Sequence, residues 1–253
     1  MNKVVRGLLL IFLTTFSSFA IEEVKVITYY NYSPWLELNT TITSLLNEQL
    51  SSKYKFTALY LPRKRLDQLL LSKDKVIVTF TNPKFFGDLD KQKYSWTAPL
   101  LVDHSFYISK KTKPFLYENE SSYTGKNFSG ILGHHYTDLE KAVSEKRLEI
   151  EYAASEISAV LKVFNSKRNL DFSVIDTSTL KGMESLGTIL RGQYVLSKRP
   201  GYGELERLLL VSKSDTDLFS DVELALMRIS KLDKWLKIIG IYQKQDINSS
   251  PSQ

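Results

Sequence analysis

The stretch GILGHHYTDLEKAVSEKRLEIEYAASEISAVLKVFNSKRNLDFSVIDTSTLKGM, residues 130–183, decides the fold. Its apolar residues predict a strand, a glycine-bounded loop, a helix, a short charged strand, a second helix and a strand that ends at Asp176. Strands that alternate with helices are typical of a parallel sheet. In open α/β sheets, ligands bind where strand ends meet helix N-termini. The stretch therefore predicts an α/β unit with a pocket for a small polar molecule.

The same alternation runs through the first part of the chain. Three apolar runs have the length of strands: VKVIT (24–28), YKFTALY (54–60) and KVIVTF (75–80). Between them, the sequence predicts one helix that starts at Asn39 or Thr41 and a second helix that Pro62 opens. The order again indicates a parallel sheet with helices packed on it.

The remaining segments predict a second lobe and a return to the first. Residues 109–113 and 200–206 are expected to cross between the lobes, because two predicted C-terminal helices need a sheet to pack on. We therefore predict a lobe I of residues 21–109 and 206–253 and a lobe II of residues 110–205. The crossings would form a hinge, with a ligand cleft between the lobes. A single continuous sheet, or C-terminal helices packed on lobe II, would contradict this division.

The first twenty residues have the composition of a secretory signal peptide. Lys3 and Arg6 are basic, and residues 8–16 form an apolar run too short to cross a membrane. Small residues then precede a cleavage site that we place near Ile21. The mature protein is therefore expected in the periplasm.

The charge balance argues against a nucleic-acid partner. The 253 residues include 34 basic and 28 acidic residues, and removing Lys3 and Arg6 leaves 32 basic residues and a net charge of +4. These charges are dispersed, whereas nucleic-acid binders concentrate them on one face. The chain has no cysteine and only three histidines, so disulfides and thiolate chemistry are excluded. We expect no metal and no cofactor.

Four segments carry a family resemblance: VKVITYYNYSPWL (24–36), KYSWTAPLLVDHSFYISK (93–110), NLDFSVIDTSTLKGM (169–183) and the C-terminal residues 208–242. Each resembles a passage of the type II periplasmic solute-binding proteins, especially the amino-acid-binding branch that serves bacterial ABC importers. The resemblance implies a two-lobed α/β fold of the periplasmic-binding-protein-like II type, with a hinge and an inter-lobe cleft. It also implies binding rather than catalysis.

The resemblance implies that Asp176 binds a ligand ammonium group, because the family has an acidic residue at the end of this strand. The same position is that of a helix N-cap, and both roles remain open. In the first case, Asp176→Ala is expected to weaken a cationic ligand about tenfold or more. Thr137 and Glu140 are predicted to form a capping box at a helix start that suits a carboxylate, with His134 and Tyr136 beside it.

The first lobe is expected to supply the other half of the site. Thr79, Thr81 and Asn82 end a strand where the family presents polar groups. The family then has an arginine that clamps the ligand carboxylate, whereas this chain has Lys84, which either supplies the charge or is merely exposed. After the first strand the family stacks an aromatic ring on the ligand. The candidates for that ring are Tyr30, Tyr32 and Trp35.

The sequence therefore predicts a monomeric, exported binding protein that captures a small polar, amino-acid-like ligand for an ABC permease. A sensory module that reports ligand binding to a membrane receptor is the alternative. A periplasmic lyase on the same fold is a further alternative, and it would need Asp176, Glu140 or a histidine as general acid or base. No carboxylate pair at a recognisable spacing supports that enzyme, so we predict no catalytic residues.

Overall fold

The computed structural model describes residues 21–72 and 74–243. The predicted signal peptide, residues 1–20, lies outside the described residues. Within the described ranges, no helix combines the length and the apolar composition that a membrane span requires.

Strands and helices alternate along the described residues. The strands are β1 (Glu22–Thr28), β2 (Tyr54–Tyr60), β3 (Val76–Thr81), β4 (Tyr94–Trp96), β5 (Leu101–Lys110), β6 (Lys126–Ile131), β7 (Leu148–Ala153), β8 (Phe172–Asp176), β9 (Tyr194–Lys198) and β10 (Glu204–Ser212). The helices are α1 (Trp35–Leu50), α2 (Arg63–Leu69), α3 (Glu140–Ser144), α4 (Glu156–Phe164), α5 (Thr177–Ser185), α6 (Thr216–Ile229) and α7 (Asp233–Gln243). The mixed α/β composition that the sequence predicts is confirmed.

Hydrogen bonds connect the strands in the order β2-β1-β3-β10-β5-β8-β6-β7, with β4 on β10 and β9 on β5. β5 and β10 are the crossing strands, because each changes partner along its length. Leu101–His104 of β5 pair with β10, whereas Ser105–Lys110 pair with β8 and β9. The first crossing therefore lies earlier in the chain than the predicted residues 109–113. All ten strands of the described residues lie in one hydrogen-bonded sheet, because strands rather than loops connect the two halves, so the predicted lobe boundaries are not confirmed.

The apolar cores lie on either side of these crossing strands. One set of clusters joins β1, α1, β3 and α6, with Trp35, Phe80 and Trp235 among its largest side chains. A second set joins β5, β6, α4 and β8 around Phe128 and Phe172. A cluster of this kind buries apolar area on its own, so each side of the crossing has a separate source of stability.

The last described helix, α7, contacts both halves. Trp235 of α7 stacks on Phe80 of the first core at a centroid distance of 6.4 Å. At the other end of α7, the Tyr242 carbonyl accepts a hydrogen bond from Lys181 Nζ of α5 at 3.2 Å. Helix α7 therefore packs on the first core and also reaches the second half, and the residue ranges of the two lobes stay a prediction.

Helix α1 begins at Trp35 rather than at Asn39 or Thr41. An asparagine is a common N-cap, which is why the sequence favoured the later start. Asn39 instead lies inside the helix, where its amide donates to the carbonyls of Val26 and Leu59 at 3.2 and 3.3 Å. A buried amide that satisfies strand-end carbonyls fixes the helix against β1 and β2.

Candidate functional site

Arg207 lies at the centre of the contact between the lobes. It is fully buried on β10, where its Nη2 donates to Asp103 Oδ2 at 3.1 Å and also to Asp176. Its Nη1 donates to the Tyr30 hydroxyl at 2.9 Å and to the Phe80 carbonyl at 3.5 Å. One guanidinium thus contacts both crossing strands, the end of β8 and the first lobe.

Aromatic rings cover the same guanidinium. Its carbon lies 4.6 Å from the centroid of Trp35 and 5.7 Å from those of Tyr30 and Phe85. Burial lowers the pKa of Arg207, but Tyr30 and the two carboxylate partners raise it by more, so the group keeps its charge. Cation–π attraction is strongest where water is excluded, as it is here.

Glu156, the first residue of α4, forms a second contact between the lobes. Its carboxylate accepts hydrogen bonds from the Tyr32 hydroxyl at 2.7 Å, from Thr179 Oγ1 at 2.9 Å and from the Asp176 backbone N–H at 2.8 Å. Thr179 Oγ1 in turn accepts from Trp35 Nε1 at 3.2 Å. Tyr32 therefore reaches across the cleft from the loop that follows β1, and Trp35 does so from the start of α1.

The Glu156 carboxyl is buried, and that burial, followed by the negative charge of Asp176, raises its pKa to about 8. Two acidic side chains that share a dry site cannot both ionise without a large electrostatic cost. Burial and the neighbouring Asp176 charge therefore favour the protonated form of Glu156 over its carboxylate.

Backbone contacts close this side of the cleft. Gly182 of α5 packs directly on the loop before α1, and a Cβ placed on it would lie 2.8 Å from the Ser33 carbonyl oxygen and 2.9 Å from Pro34 Cδ. Such distances are shorter than real Cβ contacts. Glycine is required at this position because the two lobes approach each other through backbone.

The mouth of the cleft contains different groups. Lys84 Nζ of the first lobe lies 3.7 Å from the centroid of the Tyr202 ring, whose other contacts are the Arg199 guanidinium at 3.7 Å and the Thr137 hydroxyl at 3.0 Å. Beside them is an open groove of about 450 Å³ that Lys84, Thr137 and Tyr202 help to line. His134 is exposed, but partial desolvation of its ring by neighbouring protein lowers its pKa, and the nearby Arg63 and Arg199 charges lower it further.

The predicted capping box at Thr137 is wrong. Helix α3 begins only at Glu140 and has five residues, its N-cap position is Leu139, and no side chain caps it. The Thr137 hydroxyl bonds to Tyr202 instead. Tyr136 is buried, where its hydroxyl accepts from the Ile131 N–H at 2.6 Å. A short helix without a cap offers little dipole for an anion.

Three polar residues predicted to end β3 have structural partners. Thr79 and Thr81 are buried. The Thr79 hydroxyl donates to Asn39 Oδ1 at 2.8 Å, and the Thr81 hydroxyl bonds to the Tyr29 hydroxyl at 3.0 Å. Asn82 caps the short 3-10 turn that follows β3. Of the three, Thr81 is nearest to the aromatic residues of the cleft through Tyr29.

Among the described residues, no group of three or more His, Cys, Asp or Glu side chains is arranged to hold a metal ion. The predicted residues instead fall into two sets. Tyr30, Tyr32, Trp35 and Asp176 meet in the buried cluster, and Lys84 and Thr137 lie at the mouth, whereas His134 is exposed beside Tyr136.

Comparisons with known proteins bear on the fold. No protein-family model matches the sequence, and no curated protein sequence is similar to it. Solved structures do match. A mutant of the protein ArgBP from T. maritima has a TM-score of 0.63 at 15% identity, over 87% of this chain and 94% of that chain. An ancestral amino acid-binding protein, a precursor of cyclohexadienyl dehydratase, has a TM-score of 0.63 at 16% identity, over 88% and 96%.

The periplasmic domain of BvgS from B. pertussis also matches, with a TM-score of 0.62 at 14% identity, over 87% of this chain and 43% of that chain. The chain has the type II periplasmic binding protein fold. At these identities the similarity concerns the fold alone. The predicted two-lobed architecture, with its hinge and inter-lobe cleft, is thereby confirmed.

Within this binding-protein fold, sequence reasoning missed Arg207, Asp103 and Glu156. One signal was available for the first two, since each is a charged residue that adjoins an apolar run, residues 208–211 for Arg207 and residues 100–102 for Asp103. Glu156 follows Ser155, which does form a capping box with Ser158. No sequence signal indicates that Glu156 faces Tyr32, because the two are 124 residues apart.

Proposed function

We propose that this chain is a periplasmic solute-binding protein that captures a small polar ligand in its inter-lobe cleft and presents it to an ABC permease. The observation that carries the proposal is the cleft itself, in which polar and aromatic side chains of both lobes meet on a two-lobed binding-protein fold. Clefts between hinged domains are preferred ligand sites.

The mouth of the cleft is the proposed place of ligand contact. Lys84, Thr137 and Tyr202 provide a charge and two hydroxyls beside an open groove. Lys84 supplies the positive charge for a ligand carboxylate, as a point charge without the planar fork of arginine. Thr81 and the aromatic loop after β1 form the inner wall.

The similar structures support ligands of this chemistry. One of them is described as an arginine-bound form of ArgBP from T. maritima, and another as an ancestral amino acid-binding protein. The proposal is that this chain binds a solute of the same size class, as a monomer and without a nucleic-acid partner.

A sensory role is the second candidate, and one observation favours it. The lobes are joined by buried contacts that the protein makes with its own side chains, so a bound solute has to change an equilibrium between packed states. The similarity to the BvgS periplasmic domain fits such a role. Genes for a permease and an ATPase beside this one would favour transport, and a sensor kinase gene would favour signalling.

An enzymatic role is not proposed. A lyase needs a general acid or base that faces its substrate. The cleft carboxylates Asp176 and Glu156 are both engaged, the first by Arg207 and the second by Tyr32 and Thr179. Glu140 lies at the start of α3, outside this cluster.

A thermal-shift screen of amino acids, small carboxylates, amines and sugars tests the proposal. A ligand that binds only the folded state stabilises it by about 2.7 kcal/mol at one hundred times its Kd, which raises Tm by several degrees. Lys84→Ala and Thr137→Ala are then expected to weaken the ligand in calorimetry, whereas Lys55→Ala, at the exposed edge of β2, should not. If no compound shifts Tm at millimolar concentration, the solute-binding function is refuted.

A further inference from the structure

Three features of the described residues lie outside the proposed ligand contacts: an exposed apolar surface on α6, the Arg199–Asp138 pair, and the Arg207 cluster. Nothing in the structure indicates what would cover Leu224 and Met227 of α6. The Arg199–Asp138 pair lies within the second half. The Arg207 cluster alone joins groups of both halves across the crossing strands.

Arg207 lies beside the point at which β5 changes partner. On β5, Leu101 pairs with Arg207 itself, whereas Ser105 pairs with Asp176. The ion pair between Arg207 and Asp176 therefore spans residues 101–105 of β5, within which the strand changes partner, with Asp103 between them. Bending β5 at this point would separate the two charged groups.

The Arg207 guanidinium is surrounded by aromatic rings and carboxylates. A cation enclosed by the Trp35, Tyr30 and Phe85 rings and held by the carboxylates of Asp103 and Asp176 has the surroundings of a bound ligand cation. A simple structural ion pair needs neither the rings nor partners from both lobes. The carboxylate to which a ligand ammonium group would bind is therefore already taken by a side chain of the protein.

We propose that Arg207 is an internal ligand, whose guanidinium occupies the cation position at Asp176, holds the two lobes together and excludes ammonium or guanidinium groups of solutes from that position. Only the exclusion of solute cations rests on the proposed solute-binding function, whereas the contact between the lobes does not. The solute that the cleft accepts is then recognised through its anionic and hydroxyl groups at the mouth rather than through a cation at Asp176.

The test removes the guanidinium of Arg207 by substitution and supplies a small guanidinium compound in solution. Arg207→Ala lacks the atoms that N-ethylguanidinium provides, and N-ethylurea has the same shape without the charge. Small-angle X-ray scattering reports lobe separation through the radius of gyration, and Tm reports stability. We expect Arg207→Ala to be more expanded than the parent protein. N-ethylguanidinium at millimolar concentration should restore the compact form and raise Tm by about 3 °C or more at ten times its Kd. N-ethylurea should do neither.

Arg199→Ala is the matched control, because Arg199 is also buried but pairs with Asp138 and with Ser105 in the second half. It should lower Tm without changing the radius of gyration. If Arg207→Ala does not fold, Asp176→Asn, which keeps the side-chain shape, is expected to expand the protein in the same measurement.

A compact Arg207→Ala protein, or equal rescue by N-ethylurea, would overturn the proposal, and so would a compact Asp176→Asn protein. These outcomes are independent of the ligand screen, because scattering measures lobe separation and the screen measures solute binding. If the internal-ligand proposal fails this test, the solute-binding proposal is therefore unaffected.

Discussion

The buried cluster around Arg207 and the mouth around Lys84 are two ends of one cleft with opposite physical character. Arg207, Asp103 and Glu156 are buried, and each has several partners. Lys84 is exposed, and its contact across the cleft is a single ring. In each region a cation contacts a residue of the second half. Lys84 of the first lobe contacts Tyr202, and Arg207 of a crossing strand contacts Asp176.

The difference between the two regions follows from solvation. In a dry site, a charge without its partner is costly, so the buried cluster strongly couples its members. In water the same pair contributes little, and its groups stay free to exchange partners. The buried end is therefore suited to holding the lobes together, and the mouth is suited to contact with a solute.

The largest expected effect comes from breaking the buried cluster. Asp103→Ala leaves Arg207 with one carboxylate in a dry site, and we expect a loss of about 3–5 kcal/mol in the free energy of unfolding. Urea denaturation followed by tryptophan fluorescence measures it. Asp74→Ala removes a carboxylate whose partner Lys25 is half-exposed, and serves as the matched control. Equal effects of the two substitutions would contradict the contrast between buried and exposed charge.

The next effect is a pH dependence. Glu156 has a pKa raised to about 8 in the folded protein, so between its ordinary value and pH 8 the folded state keeps a proton that the unfolded chain releases. Stability from this group is fully present below its ordinary pKa and is lost as pH rises through about 8. Each pKa unit corresponds to about 1.4 kcal/mol, so a rise from 4.5 to about 8 corresponds to about 3–5 kcal/mol.

Glu156→Gln isolates this contribution, because the amide stays neutral at every pH. The groups that face Glu156 are Asp176, Tyr32 and Thr179, and the lowered pKa of His134 acts on stability in the opposite direction. The quantity to compare is therefore the difference in Tm between parent and variant from pH 5 to pH 8.5. If that difference is constant, Glu156 does not titrate in this range.

A smaller effect is expected at the backbone contact between the lobes. Gly182→Ala places a Cβ against the Ser33 carbonyl, and overpacking of this kind costs about 1–3 kcal/mol. Gly240 of α7 is also helical, but a Cβ there meets nothing within 4 Å. Gly240→Ala should therefore stabilise the protein by about 0.5–1 kcal/mol. Effects of the same sign in urea denaturation would contradict the close approach at Gly182.

The smallest effect is expected at the mouth. Lys84→Ala removes an exposed cation–π contact with Tyr202, and such contacts contribute about 0.5–1 kcal/mol. Lys84→Arg should retain most of it, because a guanidinium also stacks on a ring. A loss above 2 kcal/mol for Lys84→Ala, measured by urea denaturation, would mean that the mouth is coupled as strongly as the Arg207 cluster.

The sequence by itself determined the α/β alternation and most strand positions. Apolar runs such as residues 54–60 are read from local periodicity, which depends only on neighbouring residues. The aromatic loop after β1 and the acidic end of β8 were also identified as cleft residues, and Tyr32 and Asp176 do meet in one cluster through Glu156. Helix starts were less predictable, because Asn39 has the properties of a cap but packs inside α1.

Only the tertiary structure decided which groups pair inside the cleft. Asp176 receives the guanidinium of Arg207, 31 residues later, and Asp103 does so across 104 residues. Local sequence patterns contain no information about such pairings, because they depend on two crossing strands that lie side by side in the folded chain. The raised pKa of Glu156 is also a tertiary effect. It arises because folding buries the carboxyl group and places the charge of Asp176 beside it.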